Sequence, residues 1–145
     1  MKILFVFLTV ILSKGCEGQQ QDINAAVIEY TANTRGFYQK VVIEKQSVSV
    51  SKDRDGKDKP QPVKISDADW KELIADFKEI DLEGIPNLKA PSEKRFHDGA
   101  AIANLKITFK GKTYESSPFD HGNPPAAIKK LVTKINSFVK KSNDD

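Results

Sequence analysis

Residues 26–52 alternate apolar and polar side chains, the pattern of half-buried β-strands. Runs rich in β-branched and aromatic residues predict strands at 26–32, 37–44 and 47–52. The segments between them are predicted turns, because glycine and polar residues interrupt the pattern there. In the second strand we expect Phe37 on the core side, together with Val41 and Ile43.

Two later segments carry apolar residues at helical spacing. The first follows Ser66, a predicted N-cap, and its stripe starts at Trp70, which we interpret as a core residue rather than a ligand-stacking platform. For the second helix we predict Asn123 as the cap and Pro124 at the first helical position. Its stripe covers residues 128–139, with lysines on the outer face, which is typical of a soluble helix; docking on a membrane surface is the alternative.

Strand alternation returns at residues 105–109, and residues 110–112 are a predicted tight turn into a further strand through Tyr114. The element order is therefore β-β-β-α-β-β-α. This order predicts an α+β fold, a two-layer sandwich in which two helices lie on one face of a mostly antiparallel sheet of about five strands. We expect a single domain at residues 26–141 and a disordered tail at 142–145.

The first fifteen residues have the form of a secretion signal peptide. Lys2 supplies a positive start, residues 3–12 are mainly apolar, and small residues precede Cys16. The apolar run is shorter than the about 20 residues needed to span a bilayer. We interpret residues 1–15 as a leader and the polar residues 16–25 as a flexible tether.

Cys16 is the single cysteine of the chain, so it has no partner for an internal disulfide. The preceding stretch resembles a lipobox, in which small residues come before a lipidated cysteine; Gly15 fits this pattern and Lys14 departs from it. Lipidation of Cys16 accounts for the unpaired thiol, so we predict a lipoprotein of the bacterial cell envelope. It would be anchored to a membrane, facing the periplasm or the cell surface. Cleavage by ordinary signal peptidase, giving a soluble secreted protein, is the alternative.

The charge of the chain is close to balanced once the leader is left out. Without Lys2 and Lys14, 21 basic side chains face 20 acidic ones, a net charge of +1. Nucleic-acid binding normally demands a clustered basic face, so we expect no nucleic-acid partner. We expect a monomer that binds an envelope protein or a ligand.

Both histidines of the chain lie in two similar corners on either side of the predicted hairpin, one His-Asp-Gly and one Asp-His-Gly. If His97, Asp98, Asp120 and His121 converge, they supply ligands for zinc or groups for acid–base catalysis. We favour a structural interpretation, in which aspartates hold backbone amides and glycines take positive φ. No third histidine and no paired-cysteine motif supports a metal, so we expect no cofactor.

The charged segment 52–62 contains Asp53-x-Asp55-Gly56-x-Asp58, which resembles half of a calcium-binding loop. A complete loop also needs a bidentate acid at its twelfth position and helices on both sides. Predicted strands precede this segment and prolines follow it, which favours a solvated hairpin extension.

Three further motifs accompany the leader: Thr34-Arg35-Gly36-Phe37, Asp98-Gly99-Ala100-Ala101 and Phe119-Asp120-His121-Gly122-Asn123-Pro124-Pro125. Together they resemble a group of small uncharacterised lipoproteins from Bacteroidetes, chiefly flavobacteria. The resemblance covers most of the chain and implies a location in the cell envelope. That group has no established activity, so the resemblance implies no functional residues.

We therefore expect a lipid-anchored, non-enzymatic protein that acts by binding a protein or a ligand. One alternative is a metal-dependent or acid–base enzyme that uses the two histidine corners. Another is a secreted inhibitor or immunity-type protein. For a protein partner, the candidate contacts are Arg35, Phe37 and Tyr38 at the first predicted turn.

Overall fold

The computed structural model describes residues 23–142, which form one sheet covered on one side by two helices. The strands are β1 (Ala26–Thr34), β2 (Phe37–Glu44), β3 (Ser47–Ser51), β4 (Val63–Lys64), β5 (Ile102–Phe109), β6 (Lys112–Glu115) and β7 (Phe119–Asp120). The α-helices are α1 (Asp67–Lys78) and α2 (Lys129–Ser142), and 3-10 turns lie at Ile23–Ala25, Leu82–Asn87, Lys94–His97 and Ala126–Ile128. The predicted leader, the predicted lipidation site Cys16 and the final three residues lie outside the described part of the chain.

The sheet is antiparallel throughout, in the order β4-β3-β2-β1-β5-β6, and β7 pairs with one end of β5. The predicted α+β fold is confirmed. Two strands of two residues each, β4 and β7, are added to the five predicted ones. Lys45 and Gln46 both have positive φ in the β2–β3 turn, a conformation that suits the right-handed twist of paired strands.

One face of the sheet is apolar and packs against the helices. Side chains alternate between buried and half-buried along β1 and β5, as the two-residue period of a strand requires. The buried sheet residues include Ala26, Ile28, Tyr30, Ala32, Val41, Ile43, Ala103, Leu105, Ile107 and Phe109. The helices contribute Trp70, Leu73, Phe77, Leu131, Val132, Ile135, Phe138 and Val139. Trp70 is thus a core residue, as predicted.

The opposite face of the sheet is mainly polar. Glu29 on β1 lies 3.5 Å from Nζ of Lys40 on β2 and 3.7 Å from Nζ of Lys106 on β5. These cross-strand ion pairs, rather than an apolar patch, occupy the centre of this face. Within residues 23–142 no helix has the length and apolar character needed to cross a membrane.

The two helices begin differently. Oγ of Ser66 accepts the N–H of Asp69 at 3.2 Å, which confirms Ser66 as the cap of α1. The predicted start of the second helix at Asn123 and Pro124 is wrong, because helical structure begins with a 3-10 turn at Ala126. The reason is the Pro-Pro pair, since a residue that precedes proline is disfavoured in the α region.

The described domain starts earlier than residue 26. Ile23 is only 3% exposed and belongs to the core, and residues 23–25 form a 3-10 turn that leads into β1. The last three residues of the segment expected to be tether are therefore part of the folded domain.

Candidate functional site

Asp120 is a buried carboxylate on β7, only 1% exposed. Its Oδ2 accepts Ser92 Oγ at 2.5 Å and the backbone N–H of Lys94 at 2.8 Å. Its Oδ1 accepts the backbone N–H of Arg95 at 3.0 Å and Nη1 of the same residue at 3.1 Å. Both oxygens are therefore used to hold the start of the 94–97 turn, as a capping side chain would do.

The charge of Asp120 is stabilised where it lies. Burial by itself would raise the pKa of this carboxyl, but the hydrogen bonds from Ser92, Arg95 and Lys94 outweigh it and hold the pKa well below its usual range. Asp120 is thus an ionised structural anchor. These contacts support the structural interpretation for Asp120, in the second of the two corners (Asp120-His121-Gly122).

His121 belongs to a different set of contacts. Its Nδ1 lies 2.8 Å from the hydroxyl of Tyr30, which is fully buried in the centre of β1. The hydroxyl also has a hydrogen bond with the Asn136 side chain on α2, whose Oδ1 accepts Nε2 of Gln39 at 3.0 Å. Four polar side chains thus form one network across the sheet–helix interface.

Burial of the Tyr30 hydroxyl and the His121 imidazole determines their charge. The hydrogen bond with Asn136 lowers the pKa of Tyr30, which fits an amide N–H that is donated to the phenol oxygen. A phenol that donates to Nδ1 of His121 pairs with a neutral ring that carries its proton on Nε2, and a phenol that accepts pairs with a ring that is protonated on Nδ1. Burial lowers the pKa of His121 and, opposed in part by Asn136, raises the pKa of Tyr30 to about 12, so both groups are neutral near pH 7.

The first corner differs from the second. His97 and Asp98 are both exposed, and Asp98 ends the 94–97 turn in the left-handed conformation, at φ 56°. The expectation that Gly99 takes positive φ is wrong, because Asp98 does so instead. Gly99 is needed for space: a Cβ there would lie 3.2 Å from both the backbone oxygen and the Cβ of Lys94.

The four corner residues therefore serve separate purposes. The carboxylate of Asp120 faces Ser92 and Arg95, the ring of His121 faces Tyr30, and the first corner faces solvent. In the described part of the chain, no group of three or more His, Cys, Asp or Glu side chains is placed to hold a metal ion.

The β1–β2 turn carries the predicted partner contacts. Arg35 is exposed, and Phe37, expected on the core side, is 39% exposed with its ring 5.7 Å from the ring of His121. Nη2 of Arg54 donates to the carbonyl oxygen of Thr34 at 2.5 Å, and its guanidinium lies 6.0 Å from the ring centre of Tyr38. Arg54, in the charged segment 52–62, therefore stabilises the β1–β2 turn.

The same loop uses its aspartates internally. Asp53 accepts the backbone N–H groups of Asp55, Lys57 and Asp58, which lower the pKa of its carboxyl. Oδ1 of Asp58 accepts Oγ of Ser51 at 2.6 Å. These contacts agree with the hairpin extension that the sequence favours.

A groove that the sequence did not indicate opens at the β3–β4 edge. This side groove has a volume of about 800 Å³ and lies between that edge and the last turn of α2. Its apolar lining consists of Val48, Val50, Val63, Ile65 and Phe138, and its charged rim of Lys52, Asp58, Lys64, Asp69 and Lys141. Val63 is 62% exposed because β4 is short and pairs with β3 at two positions only.

Sequence reasoning missed the partners that give each site its role, namely Tyr30, Ser92, Arg54 and Asn136. The available signal was weak: Tyr30 is a phenol at a buried strand position, where its hydroxyl needs a hydrogen-bond partner.

No protein-family model, curated protein or solved structure matches this chain.

Proposed function

We propose that this chain is a non-enzymatic binding protein of the cell envelope, tethered by a lipid on Cys16, and that it takes an apolar ligand in the side groove. The observation that carries the ligand-binding part is the groove itself, a concave apolar site of about 800 Å³ at one edge of the sheet. Small-molecule sites typically have volumes of about 300–1,000 Å³ and mostly apolar linings.

The position of the groove supports this proposal. On the β5 side, β6 and β7 pair with residues 106–109 and 102–103 of β5, but at the opposite edge β4 pairs with only two residues of β3. Val50 and Val63 are left partly open to solvent, next to the buried side chain of Phe138. An apolar ligand that enters here would extend the existing core, and each buried CH₂ group would contribute about 0.8 kcal/mol.

The test is a titration with the uncharged fluorophore N-phenyl-1-naphthylamine. The protein is the full chain with Cys16→Ser, which has no site for a lipid. We expect saturable binding, together with a change in the emission of the single tryptophan, Trp70, which follows the groove residue Asp69. Val63→Asp should weaken the binding at least tenfold, since it places a charge on the apolar lining.

Ile102→Asp is the matched control. Ile102 is a similarly exposed strand residue, at 46%, and it does not line the groove. Equal losses in the two variants, or no saturable binding in the parent protein, would refute the proposed function.

The β1–β2 turn, which Arg54 holds by hydrogen bonds, favours a second candidate function. This is an inhibitor or immunity-type protein that docks through Arg35 and Phe37. Arg54 fixes the backbone beneath these two exposed side chains, so an interface there would need little ordering. A photo-crosslinker at position 35 should then attach to one defined envelope protein, whereas a crosslinker at the exposed helical position Lys71 should not.

A further inference from the structure

The charged side chains on the rim of the side groove differ in how many bonds they make within the domain. The two carboxylates are occupied within the domain. Asp58 accepts Ser51 Oγ and the backbone N–H of Lys52, and Asp69 accepts the ammonium groups of Lys134 at 2.7 Å and Lys141 at 2.6 Å. The negative charge of Asp69 is therefore compensated by two ammonium groups, whereas Asp58 is held by hydrogen bonds from neutral groups.

Two basic side chains of the rim, Lys64 and Lys141, are less constrained. Lys64 on β4 is exposed, and no hydrogen bond or ion pair within residues 23–142 holds its ammonium group. Lys141 is paired with Asp69, but its side chain is 62% exposed, and pairs of this kind contribute only about 0–1 kcal/mol. Both ammonium groups can turn towards a ligand at the mouth of the groove.

We propose that the ligand of the side groove is a single-chain amphiphile with an anionic headgroup, a carboxylate or a phosphate. This inference rests on the proposed function. The chain lies along Val48, Val50 and Phe138 between sheet and helix, and the headgroup lies at the rim against Lys64 and Lys141. A cationic headgroup at the same place would meet the ammonium groups of Lys64 and Lys141, and the carboxylates of Asp58 and Asp69 are already bonded within the domain.

Four probes with the same alkyl chain test the headgroup: dodecanoate, dodecyl phosphate, dodecanol and dodecyltrimethylammonium, each used below its micelle concentration. The protein is again the full chain with Cys16→Ser. We expect at least one anionic probe to bind about tenfold or more tightly than the cationic one, with the uncharged alcohol between them. The comparison of dodecanoate with dodecyl phosphate identifies the preferred headgroup.

Lys64→Gln should weaken the anionic probes about twofold to fivefold and leave dodecanol unchanged, since one ion pair near the surface contributes about 0.5–1 kcal/mol and a second cation remains. Lys71→Gln removes an exposed lysine of α1 that does not line the groove and should change nothing.

The outcomes separate the two proposals. In one outcome, all four probes bind with equal affinity, bind more weakly to Val63→Asp and are unaffected by Lys64→Gln. The groove then binds apolar chains, and the proposal of an anionic headgroup is wrong. If no probe binds, or if Val63→Asp changes none of the affinities, the proposed function fails as well.

Discussion

The hydroxyl of Tyr30 lies 2.8 Å from Nδ1 of His121, although 91 positions separate the two residues in the chain. This bond joins the centre of the sheet to the loop that follows β7. The imidazole of His121 is half-buried, so a second proton on the ring would place a charge in a partly desolvated position. The folded protein therefore favours the neutral imidazole, and its stability depends on pH through this group.

The first prediction is that stability falls as the pH is lowered from 7 through about 6.5, the ordinary pKa of histidine. Burial lowers the pKa of His121 in the folded protein, so the unfolded chain binds the proton first and unfolding becomes more favourable. Below the folded-state pKa this contribution no longer changes. Urea unfolding at a series of pH values measures it.

The variant His121→Phe should lose most of the pH dependence of the free energy of unfolding between pH 7 and 5. The substitution also changes the free energy of unfolding itself, but that change is the same at each pH. The control is His97→Gln, which removes the exposed imidazole of the first corner and should leave the dependence in place. An unchanged slope in the His121 variant would contradict the assignment of the titrating group.

The second prediction concerns the phenol itself. Tyr30→Phe should lower the free energy of unfolding by about 1–2 kcal/mol, because it leaves the half-buried amide of Asn136 and the half-buried ring of His121 without their shared partner. Tyr114→Phe removes an exposed hydroxyl 3.3 Å from Glu83 and should stay within about 0.5 kcal/mol of the parent protein. Equal effects in chemical denaturation would show that the network contributes nothing.

The third prediction distinguishes the two aspartates of the corners. Asp120→Asn should lower Tm by roughly 5 °C or more, since an amide nitrogen would then face groups that all donate hydrogen bonds: Ser92, Lys94 and Arg95. Asp98→Asn should leave Tm unchanged, because the side chain is exposed and asparagine tolerates the left-handed conformation. Calorimetry that found both variants unchanged would remove Asp120 from its anchoring role.

Local patterns in the sequence predicted much of the fold. The three-strand start, the Ser66 cap and the stripe from Trp70 to Phe77 each depend on neighbours within a few residues, and the structure has all of them. The predicted start of α2 was wrong for a local reason too. Asn123 and Pro124 are helix-start signals, but Pro125 follows them and keeps Pro124 out of the α region.

The candidate sites depend on contacts that local patterns do not encode. Asp120 is bonded to Ser92, 28 positions away, and Lys134 reaches Asp69 across 65 positions. Whether an Asp-His pair is catalytic or structural is decided by such partners, because the same two residue types serve both purposes. The side groove is harder still to foresee, since it results from the shortness of β4, which pairs with only two residues of β3.

The fourth prediction tests the membrane tether. In a bacterial host that processes lipoproteins, the parent protein should incorporate radiolabelled palmitate and sediment with the membranes, whereas Cys16→Ser should do neither. The physical reason is that about 20 apolar residues are needed to span a bilayer, more than the run at residues 3–12 supplies, so stable attachment after export requires the acyl chains on the cysteine. If the parent protein is secreted without label and begins at Cys16 with an unmodified thiol, ordinary signal peptidase has cut the leader. The protein would then meet its ligand in solution rather than at the membrane surface.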